Sequence, residues 1–148
     1  MIRRAEAADL ESVAVLFDAY RQFYEQPADL DAAREYMHAR MTQGESTVFV
    51  YESDDGSLLG FVQLYPTYCS VEARPILVLY DLFVAESARR SGVGRALMEA
   101  AQDYGREQGV SRLDLSTAVD NLAGQALYES LGWERDEEFY HYSYEIGD

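Results

Sequence analysis

The stretch that most constrains this chain is Arg89-Arg90-Ser91-Gly92-Val93-Gly94-Arg95. It stands between an apolar run, Ile76 to Val84, and residues Val93, Leu97, Ala101 and Tyr104 at helical spacing, closed by Gly109. The pattern predicts a buried strand leading through a glycine turn into a helix from about Gly92 to Gln108. A helix start exposes backbone N–H groups that no intrahelical carbonyl satisfies, and the helix dipole reinforces them. Such a turn suits an anion, phosphate above all. Three arginines fall within these seven residues of a chain whose formal net charge is −15. The turn is therefore the place where a polyanionic ligand would be welcome. A solvated arginine turn with ordinary helix-start glycines uses the same residues and is the bland alternative.

The remaining elements place this unit in a single domain, 1–148, long enough to bury a core without staples. Ile2 to Ala5 reads as a short strand. Asp9 reads as the cap of a helix carrying Leu10, Val13, Leu16, Phe17 and Tyr20. A second helix is expected from about Asp29 to Met41. Thr47 to Tyr51 and Leu59 to Tyr65 read as strands joined by a turn at Asp54-Asp55-Gly56. Pro66 to Pro75 reads as a loop or bulged crossing. Leu113 to Thr117 is a further strand, and Asn121 caps a helix that Gly132 stops. Phe139-Tyr140-His141-Tyr142-Ser143-Tyr144 reads as a last strand. The sum is an α/β (α+β mixed) fold, a mixed sheet with helices on its faces.

Composition narrows the function classes. The acidic balance argues against nucleic acid, whose phosphates it would repel. It suits either a cationic substrate or plain solubility. All twelve basic residues are arginine, so lysine chemistry is excluded. Cys69 is the only cysteine, and the two histidines, His38 and His141, fit no metal-spacing motif, so no metal is expected. No apolar run approaches the roughly 20 residues that span a bilayer, and the N-terminus lacks a signal-peptide core. No membrane association and a cytoplasmic location are expected. A Walker loop is absent. A dinucleotide fingerprint fails because Leu97 stands where its third glycine belongs, although Asp114 lies near the spacing of a ribose-binding acid.

Arg89 to Gly94 fits the pattern [QR]-x-x-G-x-[GA] after a strand ending Asp81-Leu82-Phe83-Val84. This resembles the acetyl-CoA signature of the GNAT superfamily of N-acetyltransferases. A second segment, Asn121-Leu122-Ala123-Gly124-Gln125-Ala126-Leu127-Tyr128-Glu129-Ser130-Leu131-Gly132-Trp133, looks like the superfamily's N-x-x-A-x-x-L-Y-x-x-x-G-[FW] helix. The two lie in the expected order, with a helix and a strand between them. The resemblance implies a mostly antiparallel sheet of 6–7 strands, splayed at the middle and flanked by about four helices. It implies that Arg89, Arg90, Ser91, Gly92, Val93, Gly94 and Arg95 hold the pyrophosphate or 3′-phosphate of acetyl-CoA. It further implies that Leu82, Phe83 and Val84 pair with the pantetheine arm, that a backbone N–H such as that of Phe83 polarises the thioester carbonyl, and that Asn121 touches the arm.

By the same resemblance Tyr128 is the general acid. A phenol with a pKa near 10 stays protonated at neutral pH and can donate to a departing thiolate. Some related polyamine acetyltransferases place a glutamate just before the Asp-Leu/Phe-Phe-Val segment. Tyr80 stands there, which puts that base in doubt and leaves Asp81 as the nearest carboxylate, either a proton acceptor or a strand anchor. Side chains of successive strand residues alternate faces, so Tyr80 and Asp81 share one only across a bulge. Tyr20, Tyr24 and Tyr65 are candidates to line an acceptor site, where tyrosine rings can hold an ammonium. The expected reaction is acetyl transfer to a primary amine of a small molecule. A catalytically idle acyl-CoA sensor and a protein acetyltransferase are the alternatives. Homodimerisation is common among the resembling proteins and is expected here.

Overall fold

The computed structural model describes residues 1–147; Asp148, the last residue of the expected domain, lies outside them. The chain divides into two compact units, Met1–Ser116 and a second beginning at Thr117.

The first unit is built on a five-stranded sheet in the order β1 (Ile2–Arg4), β2 (Thr47–Glu52), β3 (Leu58–Cys69), β4 (Arg74–Val84) and β5 (Leu113–Asp114). The first three pairings are antiparallel and β4–β5 is parallel. Alternation along β3 gives each face its own set. Phe61, Gln63 and Tyr65 face one way; Gly60, Val62 and Leu64 face the other. Helices α1 (Leu10–Phe23) and α2 (Leu30–Gln43) cover the first face, where Val13, Leu16, Phe17, Ala33 and Met37 bury against Val48, Val50 and Phe61. Helix α3 (Val93–Gln108) packs on the other with Val93, Leu97, Met98 and Ala101 buried.

Local chemistry sets the boundaries. Asp29 caps α2 by accepting the Ala32 N–H at 3.1 Å, and Gly44 ends it in the left-handed region. Gly109 ends α3 the same way. Asp9 stands at the start of α1 but does not cap it. Its carboxylate takes two Arg3 hydrogen bonds, at 2.7 and 2.8 Å, and the Glu6 N–H at 2.7 Å, tying a preceding 3-10 turn to β1.

Three expectations need correction. Pro66 and Pro75 do not mark a loop; β3 and β4 run through them to a turn at residues 70–73. The Leu77 N–H donates to the Arg112 carbonyl and the Ser111 N–H to the Pro75 carbonyl, so Pro75 and Leu77 turn their polar groups away from β3. Pro75 pairs with Tyr68 and Pro66 with Leu77, which puts both prolines in non-hydrogen-bonded pairs that lose no ladder bond. The strand expected at Leu113 to Thr117 is only the two residues of β5. Among the described residues the sheet has five strands, not six or seven, because Phe139 to Tyr144 form none. An alternating segment becomes a strand only where an edge accepts its hydrogen bonds, and Phe139, Tyr140, Tyr142 and Tyr144 are exposed.

In the second unit α4 (Leu122–Ser130) follows its expected cap: Asn121 Oδ1 accepts the Gly124 N–H at 3.2 Å. Gly132 adopts φ +95°, the left-handed turn that ends the helix. Four α-helices are present among the described residues, and none of them is long and apolar enough to cross a membrane.

Candidate active site

β4 is irregular at the point that matters. Gln63 pairs with Asp81, but Leu64 pairs with Leu79, so Tyr80 is an additional residue on β4. The bulge brings neighbouring side chains to one face. Asp81 accepts a hydrogen bond from Gln63 Nε2 at 2.8 Å, while the Tyr80 ring meets that of Tyr65 edge-on at 5.7 Å. Gln63 and Tyr65 share the face that α1 and α2 cover. The Tyr20 hydroxyl donates to the Tyr80 carbonyl at 3.3 Å and lies close enough to Asp81 to feel its charge.

Aromatic rings pack together near the carboxylate. Tyr20 packs edge-on against Tyr24, Phe61 and Phe83, with ring centroids 5.1–6.2 Å apart. Tyr36 and Tyr65 share a hydroxyl–hydroxyl bond of 2.7 Å. Of the expected acceptor residues, Tyr20 and Tyr65 lie near Asp81 in the first unit, and Tyr24 packs on the Tyr20 ring. Gln63 and Tyr36 join them, and sequence reasoning had passed over both. A polar residue in the middle of an apolar strand was the available signal for Gln63.

Asp81 is 6% exposed. Burial pushes its proton affinity above that of an ordinary aspartate, and the Gln63 donor and the nearby Tyr20 hydroxyl offset part of that rise. Burial first, and then the Asp81 charge, holds the Tyr20 phenol well above the usual tyrosine range. Tyr65 moves the same way through burial, its bond to Tyr36 and the same charge. These phenols stay neutral, and a buried carboxylate with raised proton affinity is suited to taking a proton.

Beyond the bulge β4 has a free edge. β5 pairs only with Leu77 and Val78, and among the described residues no strand pairs with the residues that follow on that side. The Ala85 N–H donates to the Leu59 carbonyl at 2.8 Å, which fixes the alternation. Ala85 and Phe83 therefore bond to β3, while Leu82 and Val84 turn their N–H and C=O groups outward. The amide of Phe83 thus faces β3, not the edge.

The edge leads to the arginine–glycine turn. Arg90 and Gly92 adopt φ +63° and +88°, and α3 starts at Val93 without a side-chain cap. The first intrahelical bond runs from the Ala96 N–H to the Gly92 carbonyl at 3.0 Å, so the amides of Val93 and Gly94 lie ahead of it. The Ser91 hydroxyl donates to the Ala88 carbonyl. Arg89 lies apart from the helix start. Its Nε donates to the Val84 carbonyl at 3.1 Å, and its guanidinium rests over Phe83 and Phe23 at 5.4 and 5.7 Å.

In the second unit Asn121 Nδ2 donates to Thr117 Oγ1 at 2.9 Å while its oxygen caps α4. A Cβ at position 124 would collide with the Asn121 amide, so glycine there lets the cap fold over the helix. Tyr128 is half-buried, and its ring stands 6.4 Å from that of Trp133.

Comparison with known proteins shows the family. The family model for GNAT acetyltransferases matches residues 11–133. The chain is 42% identical over 141 residues to an uncharacterized N-acetyltransferase, YhfO, of Bacillus subtilis (strain 168), covering 95% of this chain and 94% of the relative. It is 29% identical over 117 residues to an aminoglycoside N(6′)-acetyltransferase type 1 of Serratia marcescens, covering 77% and 80% of the two. A crystal structure of a probable acetyltransferase superposes with a TM-score of 0.94 at 36% identity, over 100% of this chain and 99% of that one. The chain belongs to the GNAT family and is an acyltransferase of that family.

Proposed function

We propose that this enzyme transfers an acetyl group from acetyl-CoA to a primary amine of a small molecule, by direct attack of the amine on the thioester. One observation carries the reading on the acceptor side: Asp81 is a buried carboxylate close to Tyr20 and Tyr65, with Tyr24 and Phe83 packed on the Tyr20 ring. An ammonium is drawn to such a ring by charge and cation–π attraction. The amine must lose a proton to attack, and Asp81 takes it. The Serratia marcescens relative, an aminoglycoside acetyltransferase, supports a small-molecule acceptor.

Acetyl-CoA supplies the activated acetyl group as a thioester. Two features of the chain suit it. The uncapped start of α3 faces a turn whose glycines allow close backbone approach, and the outward groups of Leu82 and Val84 suit strand-like pairing with an extended arm. We assign Gly92, Val93, Gly94 and Ser91 to the pyrophosphate through backbone N–H groups, with Arg90 and Arg95 adding charge. Leu82 and Val84 hold the arm, and an outward amide there, in place of that of Phe83, polarises the carbonyl. Phe83 and Arg89 border the arm; Arg89 releases the Val84 carbonyl when the arm pairs with it. Asn121 contacts the arm, and the Tyr128 O–H gives its proton to the departing sulfur. The proton balance closes over the cycle: the ammonium nitrogen loses two protons on becoming an amide, one passing through Asp81 to solvent and the other replacing, through solvent, the proton that Tyr128 gives to the thiolate.

The family match crosses the division at Ser116, which supports one functional domain over 1–148. A homodimer and a cytoplasmic location complete the proposal; light scattering tests the first. The function itself is tested by thiol release from acetyl-CoA against a panel of small primary amines. Tyr128→Phe should lose turnover and keep acetyl-CoA affinity. Binding without thiol release for any amine would make the domain a sensor instead.

A further inference from the structure

We infer that Gln63, oriented by Ser46, is the positioning residue for Asp81 and holds the carboxylate where it takes a proton from the acceptor amine. The inference rests on the reading of Asp81 as proton acceptor. Gln63 is fully buried on β3, in the bulged pair opposite Asp81. A buried amide must satisfy a carbonyl oxygen and two N–H groups, and its neighbours decide which end faces which way. The Ser46 hydroxyl donates to Oε1 at 2.7 Å. That leaves Nε2 facing Asp81 Oδ2 at 2.8 Å, with the Met37 sulfur 3.7 Å from the same nitrogen. An ionised carboxylate only accepts, so this is the orientation that supports the charged form. A reversed amide would press oxygen against oxygen.

The groups facing Asp81 are few. Tyr20 reaches it from α1, and Gln63 and Tyr65 reach it from β3, with Tyr80 beside it on β4. From α2, Tyr36 bonds Tyr65, and the Arg40 guanidinium lies over the Tyr36 ring at 4.6 Å. Gln63 donates to Asp81 and is itself held from behind by Ser46. Ser46 itself lines a cavity of about 440 Å³ with Arg4, His38 and Thr42, so its truncation leaves space and forces no repacking.

The test is the titration of Asp81 followed by carbon NMR on protein labelled at the aspartate carboxyl, with Asp81→Asn assigning the signal. Gln63→Leu removes the donor at similar volume. Its Asp81 midpoint should move up by about one pH unit, the tenfold change that one hydrogen bond to a charged group commands. With the fastest amine of the panel, the acid limb of kcat/KM should move in the same direction. The KM for acetyl-CoA should stay within about twofold while kcat falls roughly 10-fold or more. Ser46→Ala should shift the midpoint less, and Ser46→Thr should restore it. A residue that only fills the core would lower the active fraction without moving either midpoint. A folded Gln63→Leu with the parent's Asp81 midpoint overturns the inference. If that variant fails to fold, Ser46→Ala with an unmoved midpoint does so. Full thiol release by Asp81→Asn would instead overturn the reading of Asp81 itself.

Discussion

Gly60 joins the two elements assigned to the donor, and replacing it with alanine tests both their packing and their role. Its φ lies outside the left-handed region, so alanine meets no backbone penalty there. Space is the constraint. A Cβ at this position would lie 2.8 Å from the Phe83 carbonyl oxygen, 3.1 Å from Leu97 Cδ1 and 3.3 Å from Val93 Cγ1. The first is backbone on the strand paired with β3 and cannot swing aside. The other two are fully or nearly buried under α3. β4 and the first turn of α3 must therefore give by a few tenths of an ångström. Overpacking of this kind costs about 1–3 kcal/mol. The loss of glycine's freedom in the unfolded chain returns about 0.4–1 kcal/mol. A net loss of about 1–2 kcal/mol follows, or roughly 2–8 °C in Tm for a chain of this size. Urea denaturation measures the stability and calorimetry the acetyl-CoA affinity, which should fall because Val84 and Val93 move together. Gly56→Ala is the control. At φ +89° with no atom within 4 Å, it strains an exposed turn by about 1–2 kcal/mol and leaves affinity alone. Parent-like stability in Gly60→Ala would refute the packing argument. Lost stability with parent-like affinity would refute the placement of acetyl-CoA along this edge.

Asp81→Asn should stabilise the protein at neutral pH. Burial raises the folded-state proton affinity of Asp81, so the folded chain binds more protons than the unfolded one between the ordinary value, near 3.9, and the raised one. The ionised group therefore costs stability above that window, and the asparagine gain should fade as pH drops below about 4. Urea melts at several pH values check this, and a pH-independent gain would count against it. Gly92→Ala places a side chain at φ +88°, costing about 1–2 kcal/mol, and puts a methyl in the turn. Acetyl-CoA should bind roughly 10-fold more weakly if one contact to the pyrophosphate is lost. Asp29→Ala removes the cap of α2 and should cost about 1 kcal/mol by thermal melting, with kcat unchanged once folding is complete.

The turn and helix proposed for the donor were legible from sequence as local structure. One turn carries Gly92 and Gly94, and Val93, Leu97 and Ala101 mark the following helix by spacing alone. Asn121 likewise announces its helix by a cap that reaches only three residues ahead. The acceptor side is assembled from distant residues. Asp81 meets Gln63 across a register that shifts at Gln63/Leu64, and nothing near Tyr80 in sequence marks it as the additional residue. Local punctuation misled where pairing decided: Pro66 and Pro75 read as a loop, yet both occupy strand positions that need no N–H. Asp9 read as a cap, yet Arg3 claims its carboxylate across six residues. Phe139 to Tyr144 alternate as a strand would, but alternation supplies no partner edge. The same asymmetry explains why the motifs bear on the proposed donor and leave the acceptor open. A phosphate is held by backbone N–H groups that one helix start can offer, whereas an amine is selected by side chains from α1, β3 and β4, whose meeting is a property of the fold. Substitutions that change acceptor choice should therefore fall at Tyr20, Tyr24, Tyr65 and Tyr80, and kcat/KM across the amine panel should redistribute there while acetyl-CoA affinity holds.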